Sequence, residues 1–101
     1  MRMGDIAVRF EWDAGNRRHI VRQRVRTVEA EQSMQDRNAV NGDAYWRRGE
    51  WRDAIIGMTS GGRLLFVVCT MRDGEDGTEV IRVVTARDAT RWEQRQYEAG
   101  M

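Results

Sequence analysis

The chain contains no lysine and no proline, and only one cysteine and one histidine. Each shortage removes a class of protein. A lone thiol cannot build a disulfide framework, and Cys69, inside the apolar run Leu64–Cys69, reads as a small buried hydrophobe suited to a reducing compartment. One His and one Cys far apart in sequence leave no ligand spacing for zinc or iron, so neither a metal nor a cofactor is expected. No Ser or Cys sits in a recognisable activating turn. The glycines match no phosphate-cradling pattern, since Ser60-Gly61-Gly62 reads as a hairpin turn. No segment is long enough to span a membrane and no apolar leader is evident, so a soluble, cytoplasmic protein is expected. The net charge is +1, and whole-molecule electrostatics therefore point to no partner.

What the chain does have is arginine. All 17 basic residues are Arg, within a composition that is 33% charged. A GC-rich coding bias explains the missing lysine as readily as function does. Arg is nevertheless the better phosphate fork, planar and always charged. Length allows one core, so residues 1–101 are expected to form one domain.

Hydrophobic periodicity gives a coarse layout. Ile6–Trp12 alternates as a half-buried strand does, and Asp13 offers an N-cap for a helix over Asn16–Gln23. Thr27 offers a second cap, with Glu29 and Glu31 favouring the start of a helix that runs to about Arg37. Residues 36–49 are polar and read as loop or ragged edge strand. Three strands follow, Arg52–Thr59, Arg63–Thr70 and Glu79–Ala86, and the two-faced apolar pattern of Leu64–Cys69 places the second centrally. Thr90 and Glu93 form a capping-box pair opening a last helix. The order β-α-α-β-β-β-α implies a small α+β domain, helices packed on a mainly antiparallel sheet. For Trp12, Tyr45, Trp46, Trp51 and Trp92, packing is the default reading and base stacking the alternative.

Five arginines and no acid lie between Arg17 and Arg26. Arg18 and Arg22 share a helix face, while Val21 and Val25 can turn inward. Either acids such as Glu29 and Glu31 neutralise this cluster, or Arg18, Arg22 and Arg24 contact RNA. His19 is the only side chain ordinarily poised to move protons near neutrality. Arg82 and Arg87 flank the end of a β-branched run, an odd number apart, so an ideal strand would point them to opposite faces.

Several segments together resemble one family. They are Phe10-Glu11-Trp12-Asp13, Asn16-Arg17-Arg18-His19-Ile20, and Glu50 to Gly57 with Arg52. Further along come Gly62 to Val68, Thr70-Met71-Arg72 and Ile81 to Arg87, with Glu93 and Tyr97 on the last helix. In this order and spacing, from Phe10 to Tyr97, they resemble the BrnT family of type II toxins. The resemblance implies a RelE-like ribonuclease fold, cleavage of RNA to arrest translation, and neutralisation by a BrnA-type antitoxin. Such an antitoxin carries a ribbon-helix-helix domain, and the toxin meets operator DNA only through it. Where the family has a basic residue followed by His-Gly, this chain has Arg22-Gln23-Arg24. Gln23 thus replaces a histidine, and Arg24 replaces a glycine suited to the left-handed conformation.

Cleavage through the 2′-hydroxyl needs a proton acceptor, a donor for the leaving 5′-oxygen and cations around the phosphorane. Arginine supplies only the cations. Arg52, Arg72, Arg82 and Arg87 are accordingly the expected charge-stabilising set, with Arg72 and Arg87, and Arg52 or Arg82 beside them, lining one electropositive concavity without obvious local acids. His19 or a carboxylate such as Glu50 or Glu93 would have to be the base, and for Glu93 the capping role is the favoured reading. Two readings remain: a metal-independent endoribonuclease toxin, or a catalytically degenerate module that binds an antitoxin or RNA without cutting.

Overall fold

The computed structural model describes residues 8–100. Elements run β1 (Val8–Glu11), α1 (Ala14–Arg22), α2 (Thr27–Met34), β2 (Val40–Asn41), β3 (Tyr45–Arg47), β4 (Glu50–Met58), β5 (Leu64–Asp73), β6 (Glu79–Asp88) and α3 (Arg91–Ala99). The small α+β arrangement expected from the sequence is present. Of the expected first strand, Ile6 and Ala7 lie outside the described residues. The first helix starts at Ala14 rather than Asn16. The second ends at Met34 rather than Arg37, and its cap is Arg26, whose backbone N–H donates to Glu29 (3.0 Å), not Thr27.

The strands are ordered β1-β6-β5-β4-β2, with β3 pairing β4 off this path. All pairings are antiparallel except β1 with β6, which run parallel with Glu11 beside Arg82. Two short strands, β2 and β3, occupy the stretch read as loop or ragged edge. Arg48 and Gly49 both have positive φ (51° and 79°), forming the two-residue connection between β3 and β4.

Side chains of Ile55, Leu65, Val67, Cys69, Ile81, Val83 and Ala86 form one sheet face, packed under Ile20, Val25, Ala30 and Met34 of the α1–α2 layer. Leu65, Val67 and Cys69 are fully buried, as a central strand requires. Val21 does not face inward: it is 66% exposed, and Ile20 fills the core from that helix instead. Burial pushes the Cys69 thiol up to about 12. It should therefore resist alkylation in the native protein and react only as fast as the sheet opens, as a thiol-reagent time course with and without denaturant would show. Among the described residues no helix is long and apolar enough to cross a membrane.

One irregularity decides what the other face carries. In the β5–β6 ladder Val68 pairs with Thr85 but Cys69 pairs with Val83, leaving Val84 as an extra residue, a bulge. That single insertion re-phases β6. Arg82 (opposite Thr70) and Arg87 (opposite Phe66) thereby share a face, despite their odd spacing. The pleat also puts Arg52 and Arg72 there.

Candidate functional site

The N-terminal turn of α1 is built onto the sheet by Asp13 and Asn16. Asp13 caps the helix by accepting from the Asn16 backbone N–H (3.1 Å). The buried Asn16 amide donates to the Glu11 and Val83 carbonyls, 2.9 Å each, bridging the gap where β1 ends beside β6. This fixes α1 along the sheet margin and brings His19 over the arginine face.

There a concavity of about 610 Å³ opens between α1, β6 and the β3–β4 hairpin. Its wall includes His19, Tyr45, Arg47, Arg48, Arg52 and Arg82. A smaller hollow of about 260 Å³ adjoins it through Glu50, Thr70 and Arg82, and holds Arg72, Glu11 and Trp51. His19, Arg52 and Arg82 are thus brought together, with Arg72 next door. Arg87 is not among them. It lies on the same sheet face, but its guanidinium grips Glu93 of α3 with two hydrogen bonds (2.7 and 2.9 Å) and sits 4.3 Å over the Phe66 ring. The expectation that Arg87 lines the concavity is corrected: α3 folds across that end of the face and takes it.

The expected absence of local acids is also overturned. Arg82 pairs with Asp13 (2.6 Å) and Glu11 (3.5 Å), Arg72 with Glu11, and Arg52 with Glu50 (3.2 Å). For Arg72 and Arg82 the cause is the parallel β1–β6 pairing, which sets Glu11 and the following Asp13 beside β6, whereas Arg52 and Glu50 are neighbours two apart on β4. The Arg82 guanidinium, then the Asn16 backbone N–H, hold the Asp13 carboxyl down at about 2. The Arg72 and Arg82 pairs are half-exposed and screened by water, so a phosphate can displace a carboxylate at little cost. The carboxylates keep the forks aimed into the hollow. Arg52 differs: its side chain is only 16% exposed, and its Nε is buried with no hydrogen-bond partner. A buried donor without an acceptor is costly.

Elsewhere the basic stretch is mostly unpaired. Arg26 pairs with Glu29 (3.5 Å), but Glu31 accepts from the Trp12 indole N–H (2.8 Å) instead of an arginine. Arg17, Arg18, Arg22 and Arg24 form no ion pair among the described residues and are exposed. Gln23 and Arg22 continue the Gly15–Asn16–His19 stripe of α1 by one turn. Arg24 takes the left-handed conformation (φ 59°) that its glycine counterpart would adopt freely. Its carbonyl accepts from Arg63 (2.8 Å), which helps hold the turn.

Packing was the wrong default for four of the five aromatics. Trp12 packs on the core, but Trp46, Trp51 and Trp92 are 65%, 54% and 65% exposed, and Tyr45 is 37% exposed. Short edge strands have only one neighbour to bury against, so strand propensity at Tyr45 and Trp46 did not translate into burial. Arg47 and Arg48 were missed altogether. The turn glycine Gly49 after two arginines was the available signal.

Glu93 serves both as cap and as ion-pair partner. Arg87, with the Thr90 N–H, holds its carboxyl below the ordinary 4.5. A depressed folded-state pKa contributes stability that is present above the unfolded value and lost as pH falls through the folded one. Glu93→Gln should therefore cost about 1–3 kcal/mol at neutral pH, the lower end because Arg87 is 37% exposed. Denaturant melts should show that deficit shrinking as pH drops below 4.5.

The site therefore belongs to a small α+β protein with an arginine-walled concavity that carries its one histidine. Residues 12–93 match the family described as ribonuclease toxin, BrnT, of type II toxin-antitoxin system. The chain belongs to that family, whose toxins act on RNA and are held by an antitoxin partner. No curated protein matches the sequence.

Proposed function

We propose that this chain is a metal-independent endoribonuclease that cuts RNA in the concavity between α1, β6 and the β3–β4 hairpin, and so arrests translation in the cytoplasm. The observation that carries this is the meeting of His19 with Arg52 and Arg82 on one wall. In the reaction the 2′-oxygen attacks phosphorus, its proton passes to His19 or Glu50, and the bond to the 5′-oxygen breaks as that oxygen takes a proton from water. A 2′,3′-cyclic phosphate is left. Arg52 and Arg82, with Arg72 beside them, carry the charge of the phosphorane. Arg18, Arg22 and Arg24 extend the cationic track along and beyond α1 for flanking phosphates. A BrnA-type antitoxin with a ribbon-helix-helix domain neutralises the toxin and carries it to operator DNA.

The degenerate-module reading keeps one specific support: Gln23 stands where the family has a histidine, one turn beyond His19. Purified protein incubated with single-stranded RNA in excess chelator separates the two. Cleavage with cyclic-phosphate ends is expected. No cleavage by the wild type would leave the non-cutting module, with Gln23→His as the attempt at rescue. His19→Ala against Glu50→Gln identifies the base, through loss of the acidic limb of the pH–rate profile in whichever variant removes it.

A further inference from the structure

The hairpin of β3 and β4 exposes two tryptophans that the cleavage chemistry does not use. Trp46 and Trp51 face each other across it, ring centroids 6.3 Å apart and tilted by 45°, and both are more than half exposed. Large aromatic surface is normally withdrawn from water, so an exposed pair on an edge strand calls for a ligand. Alternation along the hairpin sends Tyr45, Arg47 and Arg52 into the larger concavity and the two indoles away from it. Trp51 borders the smaller hollow instead, beside Met71, Arg72 and Arg82.

We propose that Trp51, backed by Trp46, is a stacking platform for a base of single-stranded RNA next to the cleavage site. Charge in the adjoining concavity selects this occupant. The hollow itself balances Arg72 and Arg82 against Glu11 and Glu50, but it shares Arg82 with a concavity whose wall also carries Arg47, Arg48 and Arg52. Alternating cations and aromatic rings match a chain of alternating phosphates and bases. A strand whose phosphate reaches Arg82 has its neighbouring nucleotide over the hollow, where the indole offers a face that any base can cover. The platform should favour single strands over duplexes, whose bases are already stacked.

This inference rests on the ribonuclease reading for its choice of ligand, and the test separates them. The full-length protein is titrated with a short, labelled 2′-O-methyl RNA, which binds but cannot be cut. Trp51→Ala should weaken binding on the order of tenfold or more. Trp51→Phe should retain most of the affinity, which also guards against a variant that merely disturbs the hairpin. Because no charge is removed, the dependence of affinity on salt should keep its slope in Trp51→Ala, whereas Arg72→Ala should flatten it by about one. RNA binding that depends on Trp51 in a protein that cuts nothing would support the platform and sink the cleavage reading. Unchanged binding by Trp51→Ala in a protein that cuts RNA would overturn the platform alone. The same follows if Trp51→Ala instead weakens only the complex with the antitoxin, or if duplex RNA binds as well as single strands.

Discussion

Arg82→Ala should slow RNA cleavage on the order of a hundredfold or more, with Arg52→Ala close behind. Both guanidiniums are held on the concavity wall before substrate arrives, and a preorganised charge removed from a transition state typically costs about that much. Arg87→Ala should behave differently. Its two hydrogen bonds to Glu93 and its seat over Phe66 are structural, so the loss should appear in the melting midpoint, with the folded fraction still cutting RNA. The measurement is initial cleavage rate at saturating RNA in chelator, normalised to folded protein. A hundredfold loss in Arg87→Ala with wild-type rates in Arg82→Ala would move the site to the α3 end of the face.

That contrast shows where sequence reasoning stopped. Four arginines were recognisable as a set, and the β-branched runs, the Ser60-Gly61-Gly62 turn and the Thr90–Glu93 cap were all readable because each is encoded within a few residues. Their grouping was not. Whether Arg82 and Arg87 share a face depends on one unpaired residue, Val84, and a bulge leaves no mark in composition or periodicity. Whether they meet bare or neutralised depends on β1 lying parallel to β6, a pairing of segments some seventy positions apart. Asp13 read as the cap of the first helix, which it is, and Glu11 as one residue of the first strand, yet the two also pair with Arg82 and Arg72.

The aromatic residues failed for a related reason. Propensity counts Tyr45, Trp46 and Trp51 as strand formers, and strands they are, but burial depends on what covers the strand. β3 pairs only with β4, and nothing among the described residues closes over the indoles. His19 was legible as a chemical candidate through its uniqueness. Its companions Arg47 and Arg48 were hidden in a segment whose polarity read as loop.

Gly57→Ala should be the most destabilising glycine-to-alanine substitution among the described residues. Gly57 lies on the helix-facing side of β4, and a Cβ built there would stand 1.8 Å from the Ser33 carbonyl oxygen and 2.7 Å from its carbon. These are backbone atoms at the end of α2, so no side-chain rotation can relieve the overlap. The helix must lift off the sheet, loosening Met34 and Ala30 from Ile55 and Leu65 in the core. Overpacking of this kind costs about 1–3 kcal/mol and more where backbone must move. In a domain of this size each kcal/mol lowers the midpoint by about 4–8 °C, so a fall on the order of 10 °C or beyond is expected. Gly49→Ala is the control. Its φ of 79° makes alanine strained, but nothing lies within 4 Å of the added methyl, and the cost should stay near 1–2 kcal/mol. Thermal melts of the two variants beside wild type decide it. A Gly57→Ala protein melting no lower than Gly49→Ala would mean that α2 does not rest on β4 at Ser33.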